Sequence, residues 1–325
     1  MDFEFKNLTD IIEQSKKYKS RRKRTRNDDY VSYNKDMEKL CDCIEPLQKL
    51  NDMIGMEDIK KNIIDQLLFY TQDLNTNEMM HICLTGPPGV GKTTVGKILA
   101  ELYCSLGFLK SDNFKVVGRV DLIGGYLGQT AIKTKKVLTS SLNGVLFIDE
   151  IYSLGSGKGS DDDSYAKECV DTINQFLSEN TENFIMIIAG YKDEIEKCFF
   201  SMNPGLKRRF PWVYDILSYN NKCLKEIFIY QVIENRWKFE ESIEEDNYKI
   251  LDSIFVDKKL FGNNGGDTLT LFDKSKICHS RRVFGKPKKL KKKLNFEDIS
   301  TAFEMIKKNF NNNNKNNDPP YGMYV

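Results

Sequence analysis

Short apolar runs alternate along the chain with longer segments whose apolar residues recur every three or four positions. The runs with strand character are HICLTG (81–86), FKVVGRV (114–120), GVLFID (144–149) and FIMIIAG (184–190). A segment with helical spacing, from Ile59 to Leu68, precedes the first run, and others, such as Val95 to Leu106, lie between the runs. Strands that are apolar on both faces and alternate with helices are typical of a parallel sheet. The pattern therefore predicts an α/β fold in which helices cover both faces of a parallel sheet.

The pattern changes near residue 218, after which strand-like runs stop and helical spacing dominates. We expect an α/β domain over residues 46–217 and a smaller helical domain, or lid, over 218–310. Residues 1–45 carry a dense basic run, whose self-repulsion predicts an extended arm. Residues 311–325 are rich in asparagine and contain a Pro-Pro break, which predicts a disordered tail.

Charge sets limits on the partners of the molecule. The 49 Lys and Arg residues nearly balance the 47 Asp and Glu residues, so no strong overall field attracts nucleic acid or membrane. Local attraction is possible at 16–26, where eight of eleven residues are basic. That run fits a solvated tether, a nuclear-import signal, or a contact with RNA or an acidic partner. A second basic run, 286–294, is expected to be a charged connector before the last helix.

Features of secreted, membrane and metal-binding proteins are weak in this sequence. The apolar runs are far shorter than the roughly 18 to 20 residues that span a bilayer, and the polar start lacks the apolar stretch of a signal peptide. The eight cysteines have no disulfide-like spacing, and His81 and His279 are too few for a zinc site. We expect an intracellular, cytoplasmic protein without a membrane partner, with reduced cysteines and structural histidines.

The sharpest motif is GPPGVGKT (86–93), which fits G-x-x-x-x-G-K-[ST] between a predicted strand and a predicted helix. Backbone amides of such a loop wrap phosphates, and the following helix adds the positive end of its dipole. Lys92 would reach the β- and γ-phosphates, and the Thr93 hydroxyl would bind Mg²⁺. The alternative is a decayed loop that keeps only the turn. The predicted nucleotide contacts are Gly86, Pro87, Pro88, Gly89, Val90, Gly91, Lys92, Thr93 and Thr94.

Two adjacent carboxylates end the buried run GVLFIDE (144–150). Asp149 at the tip of the strand can hold magnesium, and Glu150 can orient and deprotonate an attacking water. Two acids after a core strand can also be a polar loop start. Their pairing with the phosphate loop favours the catalytic interpretation.

The segment NPGLKRRFPW (203–212) offers a further cation for the charge that develops in phosphoryl transfer. Arg208 and Arg209 precede the last strand, where a side chain would leave its own subunit's surface. An arginine donated to a neighbour's nucleotide would make hydrolysis depend on assembly. Surface arginines are common in loops, so spacing alone leaves a structural role equally open.

Taken together, GPPGVGKTTVGKILAELYCSLGFL, VDLIGGYLGQTAIKTKKVL, GVLFIDEIYSL, DTINQFLSEN, IIAGYKDEIE and NPGLKRRFPW resemble the AAA+ ATPases. Within them, the sequence resembles the branch of the red-type Rubisco activases and stage V sporulation protein K. The resemblance covers residues 45 to 220 strongly and the remainder weakly. It implies a P-loop NTPase core of three αβα layers followed by a helical lid, and a hexameric ring that binds ATP and Mg²⁺ between subunits.

The resemblance also assigns roles to individual residues. The tripeptide Tyr126-Leu127-Gly128 matches the family's pore loop, which grips a protein client, and its glycines would let the loop move. The alternative is a tyrosine folded back onto its own core. Arg209 matches the position of the arginine that acts on the neighbouring site. Ile54 and Gly55, in DMIGM (52–56), match contacts beside the adenine.

Two regions depart from the family pattern. Where many members place an asparagine or threonine to hold the attacking water, residues 190–192 read Gly-Tyr-Lys. In the lid, glycine and aspartate stand where an arginine would touch the γ-phosphate, within 261–284. Arg281 and Arg282 are candidate substitutes from the next turns. Hydrolysis is therefore expected to be slow or to need a partner.

The sequence favours an ATP-dependent remodeller of protein clients that works as a ring homo-oligomer. One alternative is a nucleic-acid-associated ATPase that uses the basic runs, whose binding would weaken steeply with salt. Another is an assembly scaffold that binds ATP and hardly hydrolyses it. The client itself is not identified by the sequence.

Overall fold

The computed structural model of the chain describes residues 5–21, 31–74, 78–111, 113–126, 128–155, 164–181 and 184–316. It separates into two compact units. The first unit comprises Met1–Pro87 and Gly91–Leu217, and the second comprises Pro88–Val90 and Ser218–Val325. The second unit thus contains three residues of the phosphate loop as well as the C-terminal region.

A five-stranded sheet of parallel strands forms the centre of the first unit. The strands are β1 (Ile82–Thr85), β2 (Phe114–Val117), β3 (Val145–Ile148), β4 (Ile185–Gly190) and β5 (Trp212–Asp215). Their order in the sheet is β2-β3-β4-β1-β5. Every residue of β1, β3 and β4 is buried, as the continuous apolar runs require. The predicted parallel α/β sheet is confirmed.

Helices accompany the strands along this unit. They are α1 (Leu8–Arg21), α2 (Val31–Asp42), α3 (Ile44–Asp52), α4 (Glu57–Thr71), α5 (Lys92–Ser105), α6 (Arg119–Leu122), α7 (Thr130–Thr139), α8 (Ser164–Glu179) and α9 (Lys192–Cys198). Apolar residues of α8, such as Ile173, join Ile148 and Ile188 of the sheet in one buried cluster. Within the described residues, no helix combines the length and apolar character needed to cross a membrane.

The expectation of an extended arm over residues 1–45 is wrong for the parts that the structure describes. Leu8, Ile11 and Ile12 are buried along one face of α1, which contacts α2, α3 and α4. Apolar residues with helical spacing therefore outweigh the repulsion of the neighbouring lysines. Only the first part of the basic run 16–26 lies in α1, and 22–30 lies outside the described residues.

The second unit is mostly helical, with α10 (Asn221–Glu234), α11 (Glu241–Glu245), α12 (Gly265–Arg282) and α13 (Phe296–Asn316). The expectation that strands stop near residue 218 is wrong in one place. Strand β6 (Lys238–Phe239) pairs in parallel with β7 (Lys293–Leu294). Phe239 and Leu294 are both buried, so the end of the basic run 286–294 packs into the unit and does more than connect.

The predicted disordered tail at 311–325 is also wrong in part. Helix α13 continues to Asn316, and residues 317–325 lie outside the described part of the chain. Asparagine has only a modest cost in a helix. The helix therefore includes the asparagine run as far as Asn316.

His81, the residue before β1, makes the fold sensitive to acid. It is fully buried, and its Nδ1 accepts a hydrogen bond of 3.1 Å from the backbone amide of Met186. Burial, assisted by the charge of Arg209, lowers the pKa of His81 from 6.5 to about 3. Below pH 6.5 the unfolded chain therefore binds a proton that the native state does not. The free energy of unfolding should fall by about 1.4 kcal/mol per pH unit from this group.

Urea unfolding at pH 7, 6, 5 and 4 would measure this slope. The variant His81→Gln keeps an acceptor for Met186 but does not titrate, so its free energy of unfolding should depend less steeply on pH. Equal slopes for the two proteins would show that His81 is not the source.

Candidate nucleotide-binding site

The phosphate loop begins where β1 ends, at the C-terminal edge of the sheet. Gly86 has a φ of +147°, and a Cβ at this residue would lie 2.4 Å from the carbonyl oxygen of Ile216. Glycine is therefore required at this position. Lys92 is the first residue of α5, which is 14 residues long. The positive end of the α5 dipole is thus directed to this end of the loop, as phosphate binding requires.

Lys92 places its cation on the loop. Its Nζ donates hydrogen bonds to the carbonyl oxygens of Gly86 at 2.9 Å and Pro87 at 2.8 Å. Burial lowers the pKa of the Lys92 ammonium, and the charges of Asp149 and Glu150 oppose that shift. The side chains of Thr93 and Thr94 at the start of α5 are exposed. A cation and hydroxyl groups are therefore available at the place where the sequence predicts phosphates.

Asp149 and Glu150 follow β3, and the carboxyl ends of β3, β4 and β1 share one edge of the sheet. The amide of Asp149 continues the pairing with β2 by donating to the carbonyl oxygen of Val117 at 3.2 Å. Glu150 is exposed, with a φ of 49° in the left-handed region. The structure therefore brings these carboxylates toward Lys92. Carboxylate and hydroxyl oxygens are ligands that Mg²⁺ prefers, so Asp149 and Thr93 fit a magnesium site.

The segment that contains Ile54 and Gly55 lies beside the loop. The methyl groups of Met53 and Met56 would each be 3.4 Å from a Cβ placed on Gly91. Ile54 is half-buried, and Gly55 has a φ of +70°. The contact of Ile54 and Gly55 with a bound base stays a prediction.

The tip of the loop, Pro88–Val90, belongs to the second unit and is bound to the start of α12. The amide of Gly265 donates to the carbonyl oxygen of Gly89 at 3.0 Å, and Nδ2 of Asn264 donates to that of Pro88 at 3.2 Å. Gly89 has a φ of +70°, and a Cβ there would lie 2.0 Å from the carbonyl oxygen of Asn263. The backbone of the phosphate loop therefore lies so close to that of Asn263 that only glycine fits at position 89.

Tyr219 completes this group of contacts within the second unit. Its hydroxyl donates to the carbonyl oxygen of Val90 at 2.9 Å, and its amide donates to Oδ1 of Asn264 at 3.0 Å. Tyr219 and Asn264 are both buried. Sequence reasoning missed both residues. The run NNGG around Asn264 was the available signal, because its glycines allow another backbone segment to approach closely.

Arg281 and Arg282 do not substitute for the absent lid arginine. Helix α12 starts at Gly265 beside Gly89, and Arg282 ends it about 25 Å further along at 1.5 Å per residue. The Arg282 guanidinium is instead bound to Asp298, with Nη2 to Oδ2 at 2.9 Å. The suggestion that these arginines reach the γ-phosphate is wrong, because they lie at the far end of the helix.

Arg208 and Arg209 belong to a short helical segment, Lys207–Arg209, that precedes β5. Arg209 is half-buried, with Nη1 donating to the carbonyl oxygen of Gly205 at 2.7 Å and Nη2 to Oγ of Ser178 at 2.5 Å. Arg208 is exposed. Of the pair, Arg209 is the one whose guanidinium is held by these two hydrogen bonds within its own chain.

Arg209 lies at the edge of the sheet opposite to the phosphate loop. It lies three residues before Trp212, which pairs with Ile82 at the start of β1, whereas Gly86 follows the other end of that strand. Four strand residues span about 13 Å, at roughly 3.3 Å per residue. That separation exceeds the reach of an arginine side chain. Arg209 therefore does not join Lys92 and Asp149 at this chain's own loop.

Tyr126 is displayed to solvent between the glycines of its loop. Its side chain is 74% exposed, so it is not folded back onto the core. The amide of Gln129 donates to the Tyr126 carbonyl oxygen at 3.2 Å, and Gly128 has a φ of +76°. A turn therefore holds out the aromatic ring. Leu127 lies outside the described residues.

The chain resembles known proteins over most of its length. Residues 82–211 match the family described as ATPase family associated with various cellular activities (AAA). Over 285 residues the chain is 40% identical to the putative cfxQ-like protein R730 of Acanthamoeba polyphaga mimivirus, covering 87% of this chain and 69% of that protein. Over 248 residues it is 32% identical to stage V sporulation protein K of Bacillus subtilis, covering 73% and 75%.

Among solved structures, it is similar to the RuvB Holliday junction branch migration motor of Thermotoga maritima. The TM-score is 0.53 at 20% identity, over 79% of this chain and 71% of that one. At this identity the likeness shows the fold alone. Together with the phosphate loop and the carboxylates after β3, these relatives establish the family. The chain belongs to the AAA+ ATPases, in the group that includes stage V sporulation protein K and the CfxQ-like proteins.

Proposed function

We propose that this protein hydrolyses Mg-ATP at sites shared between neighbouring subunits of a homo-oligomeric ring, and that the ring threads a protein client through its pore. The observation that carries the proposal is that the phosphate-loop lysine and the two carboxylates lie far from Arg209 within one chain. Lys92, Asp149 and Glu150 follow the C-terminal ends of β1 and β3, and Arg209 precedes β5, whose first residue pairs with the first residue of β1. One subunit can therefore supply the metal ligand and base of a site, and its neighbour the additional cation.

Each residue has a defined role in this proposal. The loop from Gly86 to Thr94 binds the phosphates, with Lys92 on the terminal ones, while Ile54 and Gly55 contact the base. Thr93 and Asp149 would hold magnesium, which offsets negative charge on the phosphates. Glu150 orients the attacking water and accepts its proton. Exposure of Glu150 and Thr93 supports these roles, because both side chains are accessible to ligands.

Turnover of ATP at increasing protein concentration tests the shared site. Specific activity should rise with concentration, because dilution separates the subunits that complete each site. Lys92→Ala is the control for the nucleotide site and should lose ATP binding. A constant specific activity down to the monomer would contradict the proposal.

Two other outcomes would favour the alternative functions. ATP binding without turnover at every protein concentration would favour an assembly scaffold. Turnover that depends on added nucleic acid, with a dependence that is lost as salt rises, would favour a nucleic-acid motor.

Tyr126 should be needed for the grip on a client and not for basal hydrolysis. We expect the Glu150→Gln form to retain client proteins when ATP is present, because it binds nucleotide without turning it over. Adding Tyr126→Ala should reduce that retention about tenfold or more, since the aromatic side chain of Tyr126 supplies an apolar contact that does not depend on the client's sequence. The measurement is the amount of protein recovered with each form in ATP.

The variant Tyr126→Phe provides the matched control, because it keeps the aromatic ring of the side chain and removes only the hydroxyl. It should retain clients nearly as well as the unchanged loop. Equal recovery with Tyr126→Ala and with Tyr126→Phe would rule out the threading role of this tyrosine.

A further inference from the structure

A cleft of about 460 Å³ lies at the surface of the second unit, beside the C-terminal end of α12. Its lining combines two aromatic side chains, Trp237 and Phe284, with three lysines, Lys276, Lys291 and Lys292. Among the described residues that line it, none is acidic. The volume is within the range of ligand-binding clefts. The cleft therefore offers cations and aromatic surface to a ligand.

The aromatic ring of Phe284 is held out to solvent by the way α12 ends. The helix ends at Arg282, and Val283 after it is buried. The backbone amide of Lys286 donates to the carbonyl oxygen of Val283 at 3.0 Å, and Gly285 has a φ of +73°. This turn leaves the Phe284 side chain 91% exposed. A ring exposed to this degree can stack on another planar group.

His279 lines the same cleft and has an unused hydrogen-bonding atom. Its side chain is 2% exposed, and its Nδ1 donates to Oδ2 of Asp298 at 3.0 Å. Its other nitrogen, Nε2, is buried without a hydrogen-bond partner within the described residues. Buried polar atoms are seldom left unpaired. An unpaired atom on a residue that lines a cleft therefore points to a ligand.

The charge of Asp298 is already matched by a residue of α12. The guanidinium of Arg282 donates to its Oδ2 from Nη2 at 2.9 Å and to its Oδ1 from Nε at 3.0 Å. Nη2 of Arg282 also donates to the carbonyl oxygen of Lys293 at 3.1 Å. This last contact fixes the end of the basic run beside α12. The lysines before it therefore keep their positive charge at the cleft.

Positive charge extends along the chain beyond the cleft. Lys276 is paired with Asp273 at 2.5 Å. Lys291 and Lys292 are exposed, and neither has an ion pair within the part of the chain that the structure describes. The same segment carries two more exposed lysines, Lys286 and Lys288. The row of cations thus exceeds what a single phosphate group would need.

We propose that this cleft binds single-stranded nucleic acid, with Phe284 stacked on a base and with Lys291 and Lys292 on phosphates. Aromatic side chains beside a cationic groove are the combination that binds single strands without sequence preference. The edge of a base that enters the cleft would supply the missing partner of His279. The row of lysines favours a strand over a free nucleotide. The site goes beyond the proposed function, since it requires neither ATP hydrolysis nor a protein client.

Fluorescence anisotropy with a labelled oligouridine of about twelve nucleotides tests the stacking contact. Phe284→Ala should raise the dissociation constant about tenfold or more, because the stacked base loses its platform. Phe284→Leu keeps an apolar side chain without an aromatic face and should weaken binding nearly as much. The exposure of Phe284 means that neither change disturbs packing. Tyr230→Ala removes an exposed ring from α10 and should leave binding unchanged.

The salt dependence of binding tests the phosphate contacts. The double variant Lys291→Gln, Lys292→Gln should bind more weakly, and the slope of log K against log salt should fall by about 1.4, since each contact with a single strand contributes about 0.7. The double variant Lys307→Gln, Lys308→Gln makes the same charge change at exposed positions of α13. It should leave the slope nearly unchanged.

Four results would each overturn the proposal. They are no saturable binding at about 50 mM salt, undiminished binding by Phe284→Leu, equally tight binding of labelled polyglutamate, and displacement of the oligouridine by an equal nucleotide concentration of free UMP. The third would indicate an acidic protein partner, and the fourth a free nucleotide. Lys92→Ala should bind the oligouridine as the wild type does, so a failure of the proposed ATPase function would leave this site standing.

Discussion

Replacing Arg209 by alanine should lower ATP turnover by about 10³-fold or more, while each subunit continues to bind ATP. The reason is geometric, since Arg209 precedes β5 at the edge of the sheet opposite to the loop that holds Lys92. Its charge can act on a nucleotide only when a second subunit brings its own loop to that edge. Steady-state turnover and ATP binding, measured on the same preparation, check this expectation.

Two further variants separate the catalytic role of Arg209 from a structural one. Arg208→Ala removes an exposed cation from the same segment and should cost far less turnover than the change at Arg209. Ser178→Ala removes one anchor of the guanidinium and keeps its charge, so activity should largely remain. If Arg208→Ala is the inactive variant and Arg209→Ala is not, the assignment of the two arginines is wrong. If both remain active in assembled protein, neither acts on a neighbouring site.

The change Glu150→Gln should reduce kcat by about 10² to 10⁴-fold with ATP binding retained. Glutamine has nearly the same shape, but it cannot accept the proton of the attacking water. Lys92→Ala makes the useful contrast, because it should lose binding as well as turnover. Single-turnover assays with ATP bound in advance would measure the chemical step separately from binding. A Glu150→Gln protein with normal turnover would show that another group is the base.

The parallel sheet and the chemistry at its edge could be predicted because they depend on local sequence. Strands β1, β3 and β4 are buried throughout, so they read as uninterrupted apolar runs. The loop motif fixes its own turn through glycines such as Gly86, whose backbone and surroundings exclude a side chain. Lys92 and Asp149 then lie at the same edge because parallel strands end there together.

Features that depend on packing between distant segments were missed. Helix α1 is basic in its C-terminal half, and its N-terminal half packs Leu8, Ile11 and Ile12 among helices later in the chain. The contacts of Asn264 with the loop tip join residues 176 positions apart, which no local pattern reveals. The role suggested for Arg282 failed because its position along α12, and its partner Asp298, set where the guanidinium lies.

The neighbouring rings of Tyr152 and Tyr191 are another feature that the sequence did not predict. The residues after β4 appeared only as the loss of an expected polar side chain. The contact between Tyr191 and Tyr152 arises from neighbouring strands and from the space left at Gly190. The sequence identified a departure from the family pattern, whereas this ring contact depends on the pairing of the strands and could not be predicted from it.

The most direct test of the shared site combines two defective subunits. Arg209→Ala keeps its own base, and Glu150→Gln keeps the arginine that a neighbour needs. Both forms would be produced together with different affinity tags, purified through both tags in turn, and assayed for ATP turnover. Each form alone should be nearly inactive, and the mixed assembly should recover a substantial part of wild-type turnover. A mixed assembly as inactive as its components would contradict the claim that one subunit completes the ATP site of the next.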